Sequence, residues 1–113
     1  MRMLFRCFAD ARTQADANRI AAELAQALAY FRPELLEEPR QYWKIPEYFE
    51  FHQELHPGTR HAYDAVLQAA SVEWDWMVLG ETCDEECSAV WNAKRGETFL
   101  LTELRWVELI LIH

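Results

Sequence analysis

Three cysteines and four histidines are the residues of this 113-residue chain best suited to covalent or metal chemistry. Two of the cysteines, Cys83 and Cys87, bracket three acids in ETCDEEC, residues 81–87. Flanking a three-residue loop, they would be cross-strand neighbours with Cβ atoms roughly 4.5–5.5 Å apart, so geometry alone permits a disulfide. The chemistry points the other way. Asp84, Glu85 and Glu86 disfavour a thiolate, at about 1.4 kcal/mol for each pKa unit of upward shift. Redox pairs are instead set among cations or at helix N-termini. A structural zinc site needs four ligands, and C-x₃-C supplies two with no second pair close by; Cys7 and His113 would have to be brought in by the fold. The stretch reads best as an acidic turn with incidental thiols.

His52, His56 and His61 are close in sequence, but Pro57-Gly58 interrupts any helix that could align them as ligands. They are expected on a strand, in a loop and at a helix start, pointing apart. There is no G-x-S-x-G, P-loop, G-x-G-x-x-G or H-E-x-x-H, and Cys7, the one candidate nucleophile, falls inside a strand. No catalytic residue, cofactor or metal is expected. Paired acids such as Glu37-Glu38 and Glu85-Glu86 are adjacent and point apart, and nineteen acids make such pairs unavoidable.

The elements that must position side chains follow from periodicity. Residues 3–9 form a buried strand with Met3, Phe5 and Cys7 on one side. From Thr13, paired with Asp16 in a capping box, apolar residues Ala17, Ile20, Ala21, Leu24, Ala27, Leu28 and Phe31 recur at helical spacing, so a helix over 13–31 stops at Pro33. Alternation then predicts strands over about 36–44 and 47–55, turning near Ile45-Pro46-Glu47. Thr59 opens a second helix carrying Ala62, Tyr63, Val66, Leu67 and Ala70. Residues 72–79 alternate again as a strand; Lys94-Arg95-Gly96 marks a hairpin, and 99–112 supplies one or two further strands.

The order β-α-β-β-α-β plus a C-terminal hairpin predicts a single α+β domain over 1–113, ferredoxin-like, with two helices on one side of an antiparallel sheet. Trp43, Phe49, Phe51, Trp74 and Trp76 are then expected beneath the helices. The opposite side would show Tyr42, Lys44, Tyr48, Glu50, His52, Glu54, Glu73 and Asp75, a tyrosine-bearing acidic surface on which Lys or Arg of a partner could pair. A one-residue slip in 40–56 would invert every face.

Composition bounds the function. Hydrophobic residues make up 51% with five Trp, six Phe and four Tyr, too apolar for disorder. Nineteen acids against eleven bases give −8, which repels a phosphate backbone and suits a basic protein partner. Arg6 and Asp10 break the apolar centre a signal peptide needs, and the longest apolar run elsewhere, Leu109 to Ile112, is far below the ~20 residues of a membrane span. With an odd cysteine count, this points to the cytoplasm.

With YWKIPEYFEF in its middle and AVWNAKRGETF and RWVELIL near its end, this small, acidic, aromatic chain resembles the immunity proteins of bacterial polymorphic-toxin and contact-dependent inhibition systems. The likeness spreads over most of the chain and carries no diagnostic motif. It implies a non-enzymatic inhibitor that binds a cognate toxin in the cytoplasm. The surface expected to bind is Tyr42, Tyr48, Glu50, Glu54, Glu73 and Asp75, together with Glu85 and Glu86 of the acidic turn. Two alternatives stay open: a ferredoxin-like dimer enclosing a small ligand between sheet faces, as in α/β-barrel monooxygenases, and a zinc-binding accessory domain.

Overall fold

The computed structural model describes residues 1–70, 77–79, 86–92, 101 and 103–112. The chain is α+β: β1 (Arg2–Asp10), α1 (Gln14–Ala27), a 3-10 turn (Ala29–Phe31), β2 (Glu34–Leu35), β3 (Arg40–Gln41), β4 (Tyr48–Leu55), α2 (Arg60–Ala70), β5 (Met77–Leu79), β6 (Glu86–Asn92) and β7 (Leu104–Ile112).

Local chemistry accounts for the helix ends. Thr13 Oγ1 accepts from the Asp16 backbone N–H at 3.1 Å, and Thr59 Oγ1 does the same for Ala62 at 3.1 Å, satisfying N–H groups that have no partner within the helix. The first helix ends at Ala27, four residues before the periodicity does. The chain tightens into the 3-10 turn, which Arg32 ends in the left-handed conformation at φ 48°, and Pro33 cannot continue the helix. Gly58 is required by a close approach: a Cβ there would meet the Met1 carbonyl.

All described strand pairs are antiparallel, in the order β2-β4-β1-β7-β6-β5, with β3 also pairing β4. The first half is a split β-α-β, since β1 and β2 run the same way with β4 between them. The second half departs from the ferredoxin-like order. The α2 crossover from β4 to β5 spans β1, β7 and β6, so the expected extra hairpin is inserted into the sheet and β7 takes the place beside β1.

The expected strand over 36–44 is broken. Leu35 faces Gln53 and Arg40 faces Glu50, so four residues of the arm oppose two of β4, and the arm bows outward over 36–39. Pro39 is the physical cause, having no N–H to give the ladder. The turn near 45–47 forms as expected, closed by Tyr42 N–H to Tyr48 O at 2.7 Å and Tyr48 N–H to Ile45 O at 2.9 Å.

The core lies on one side of the sheet. Met3, Phe5, Cys7 and Ala9 of β1, Phe49, Phe51 and Leu55 of β4, and Val107, Leu109 and Leu111 of β7 cluster with Ala17, Ile20, Ala21 and Leu24 of α1 and Ala62, Tyr63 and Val66 of α2. Trp43, expected in this layer, is 80% exposed in the loop before β4. Trp74 and Trp76 lie outside the described residues, as do the Lys94-Arg95-Gly96 turn and Cys83 to Glu85. Cys87 is the second residue of β6, its backbone paired with Leu111.

Candidate functional site

Alternation sends every second strand residue to the side away from the core. Of the residues expected there, Tyr48, Glu50, His52 and Glu54 of β4 share that side, and Tyr42 joins them from the end of β3. Glu73, Asp75 and Glu85 lie outside the described residues. Glu86 begins β6, its backbone paired with Ile112.

The carboxylates are not free. Arg2 Nη2 donates to Glu54 at 2.9 Å and Arg6 Nε donates to Glu50 at 3.1 Å. The hydrogen bond from Arg2 holds the Glu54 carboxyl below the usual carboxylate range. The side expected to be acidic is therefore mixed. Its arginines come from β1, whose even-numbered residues Arg2, Leu4, Arg6 and Phe8 face this way, and β7 adds Trp106, Glu108, Ile110 and Ile112.

At one end these side chains make a cleft of about 450 Å³. The Phe8 ring is its floor, 4.6 Å from the Tyr42 ring and 5.2 Å from that of Trp106, centre to centre. The Arg6 guanidinium lies 5.0 Å from the centre of the Phe8 ring and 5.5 Å from that of Trp106, within cation–π range, while its Nε is held by Glu50. Tyr48 and Ile45 complete the wall.

The second arginine arrives through a β-bulge. Phe8 pairs with Trp106 but Ala9 pairs with Leu104, so Arg105 is an extra residue and lines the cleft beside Trp106. Without the bulge Arg105 would oppose Ala9 on the core side; with it, fully buried Leu104 takes that place. Arg105 has no ion-pair partner among the described residues. Above the cleft, the 43–47 loop holds out Trp43, with Lys44 Nζ 5.2 Å from its ring centre, and Ile45, 41% exposed.

This arrangement can bind. Aromatic rings offer large apolar faces at small conformational cost, and guanidinium, phenol and indole groups at their edges supply hydrogen-bond donors. Among the described residues, the groups best suited to chemistry do not converge. Cys7 is fully buried, and burial pushes its thiol well above the usual range. His52 lies on β4, His56 has Nδ1 2.9 Å from the Arg32 carbonyl, and His61 is exposed on α2. Among the described residues no three His, Cys, Asp or Glu side chains gather where a metal could be held. No described helix is long and apolar enough to cross a membrane.

Comparison with known protein families, curated proteins and solved structures finds no match for this chain.

Phe8, Arg105 and Trp106 carry the cleft and were not singled out by the sequence pattern. A signal for them existed. Core residues Val107, Leu109 and Leu111 step by two, whereas Leu104 precedes Val107 by three, and that extra step is the bulge.

Proposed function

We propose that the chain is a non-enzymatic protein-binding inhibitor of the immunity type, docking a partner through its aromatic, arginine-edged sheet face. The observation that carries this reading is Trp43, 80% exposed on a loop beside a cleft built from Phe8, Tyr42 and Trp106. Trp, Tyr and Arg dominate the binding energy of protein interfaces, and here they are contiguous. A large exposed aromatic surface marks an interaction site.

Charge supports a basic partner, such as a toxin domain. Seven of the nineteen acids but only two of the eleven bases fall between Glu73 and Glu97, so most of the negative excess falls in that segment of the sequence. Aromatic anchors would then set affinity and the acidic segment the encounter rate. Capture from the source cells with tagged wild type tests this, run beside Trp43→Ala and Trp106→Ala. The expected partner is a toxin-domain protein held at 1:1, with affinity at least about thirtyfold lower for Trp43→Ala, a loss of about 2 kcal/mol. A partner retained equally by both variants would remove the aromatic face from the account.

A second reading is favoured by Leu4, Ile110 and Ile112, which put aliphatic surface on the same side. That surface suits a second copy of the chain, the ferredoxin-like dimer with a ligand between sheets. Light scattering separates the readings: an obligate dimer dissociated by Ile110→Glu supports the second and displaces the first.

A further inference from the structure

A second recess, of about 390 Å³, lies between α1 and the bowed arm that joins β2 to β3. Ala22 and Ala25 form its helical wall, and Leu35 and Leu36, 44% and 39% exposed, form the other. Gln53, only 1% exposed, lines it from β4. The arm is fixed to the helix by Gln14 Nε2, which donates to the Pro39 carbonyl at 2.7 Å.

The polar groups of this recess are unequally satisfied. Gln53 Nε2 donates to the Ala21 carbonyl at 3.0 Å, but Gln53 Oε1 is buried with no hydrogen-bond partner among the described residues. A buried acceptor left unpaired is costly, and such groups are rare in folded proteins. At the rim Glu37 pairs with Arg40 at 3.2 Å, whereas Glu38 has no ion-pair partner among the described residues. Among the described residues the buried group without a partner is thus an acceptor, the rim charge without an ion pair is negative, and the walls between are aliphatic.

We propose that this recess receives a lysine or arginine side chain of a basic protein partner. The methylene stem would lie along Ala22, Ala25 and Leu36, and the cationic head would donate to Glu38 and Gln53 Oε1. Lysine and arginine fit because they join an apolar stem to a head that only donates. The chain's own charge of −8 favours a cationic occupant over a second copy. This inference rests on the protein-binding reading but uses residues separate from the aromatic cleft.

The test is an NMR titration of the ¹⁵N-labelled full chain with the peptide acetyl-Ala-Lys-Ala-amide, and with its norleucine counterpart as the neutral control. The lysine peptide should shift the Ala22, Ala25 and Leu36 amides saturably, with a dissociation constant on the order of 1 mM, and the norleucine peptide should not. Glu38→Gln and Gln53→Met should each weaken binding at least about fivefold, Ala22→Leu should block it, and Trp43→Ala should leave it unchanged. Because Glu38 is exposed, its variant keeps the fold if Gln53→Met does not. An equal response to both peptides, or lysine binding that survives Glu38→Gln, overturns the proposal. Shifts appearing on raising protein concentration alone would assign the recess to a second copy and also overturn it. Loss of the recess beside a Trp43-dependent partner would sink this inference alone, whereas lysine binding beside a Trp43-independent partner would sink only the aromatic face.

Discussion

A buried tyrosine and a half-buried histidine show how single residues tune this fold. Tyr63 is fully buried, its hydroxyl has no hydrogen-bond partner among the described residues, and burial raises its pKa. Removing an unpaired buried polar atom relieves a desolvation cost, so Tyr63→Phe should leave stability unchanged or raise it by up to about 1 kcal/mol, read from urea midpoints. A loss above that size would reveal a bond the hydroxyl makes in solution. His52 behaves differently. Burial lowers its pKa below 6.5, outweighing the attraction of Glu50; Arg6 and Arg40 act with burial, and Glu37 acts with Glu50. The unfolded chain therefore binds this proton more readily, so stability is intact above about pH 6.5 and is lost as pH falls toward the lower folded value. Between pH 7.5 and 5.5 the wild type should lose stability and His52→Gln should lose less. Glu54 and Asp16, whose pKa values are lowered by Arg2 and Arg19, contribute stability that is lost only further down, as pH falls through 4.5 and 3.8 toward their folded values.

Elements are where sequence patterning both succeeds and fails. Deleting Arg105 tests the bulge directly: Leu104 would come directly before Trp106 in regular alternation, and every pairing from Ala9–Leu104 to Arg2–Ile112 would be kept. Melting should shift by no more than about 5 °C, while partner binding through the cleft falls, because the deletion removes the cleft's guanidinium and not the core. Collapse of the fold would mean that the bulge is structural and not a device for aiming Arg105. What was legible was repetition. Thr13 as a cap, the 3.6-residue spacing through Leu24, the period of two through Phe49, Phe51 and Leu55, and the turn at Pro46 were all present in residue order. What was not legible was the interruption of repetition and the choice of neighbour. Pro39 breaks a strand that alternation continued, and Trp43 leaves the core because the loop before β4 carries it outward. The pairing of Glu50 and Glu54 needed the knowledge that β1 lies beside β4, since Arg6 and Arg2 are far away in the chain. Alternation gives faces, not partners.

At the scale of the whole molecule, the proposed docking divides between charge, which would set the rate of encounter, and aromatic surface, which would set the lifetime of the complex. Among the charged side chains described, the ion pairs of Arg2, Arg6 and Arg19 offset much of the local acidity. The segment from Glu73 to Glu97 keeps a strong excess of acid in its composition. A basic partner would be drawn in by this field over a range set by salt, about 10 Å at 0.1 M and about 3 Å at 1 M, and then held by apolar contacts that salt does not screen. Kinetics on a captured partner should show the division. Raising ionic strength from 0.05 to 0.5 M should slow association about tenfold or more with little change in dissociation. Neutralising Asp84, Glu85 and Glu86 to Asn, Gln and Gln should reproduce part of that slowing at low salt. Trp43→Ala should act the opposite way, accelerating dissociation at every salt concentration and leaving association nearly intact. If the acidic variant instead speeds dissociation and spares association, those carboxylates are themselves in the interface. The negative charge would then be a contact surface, and the aromatic cleft would no longer be the principal anchor.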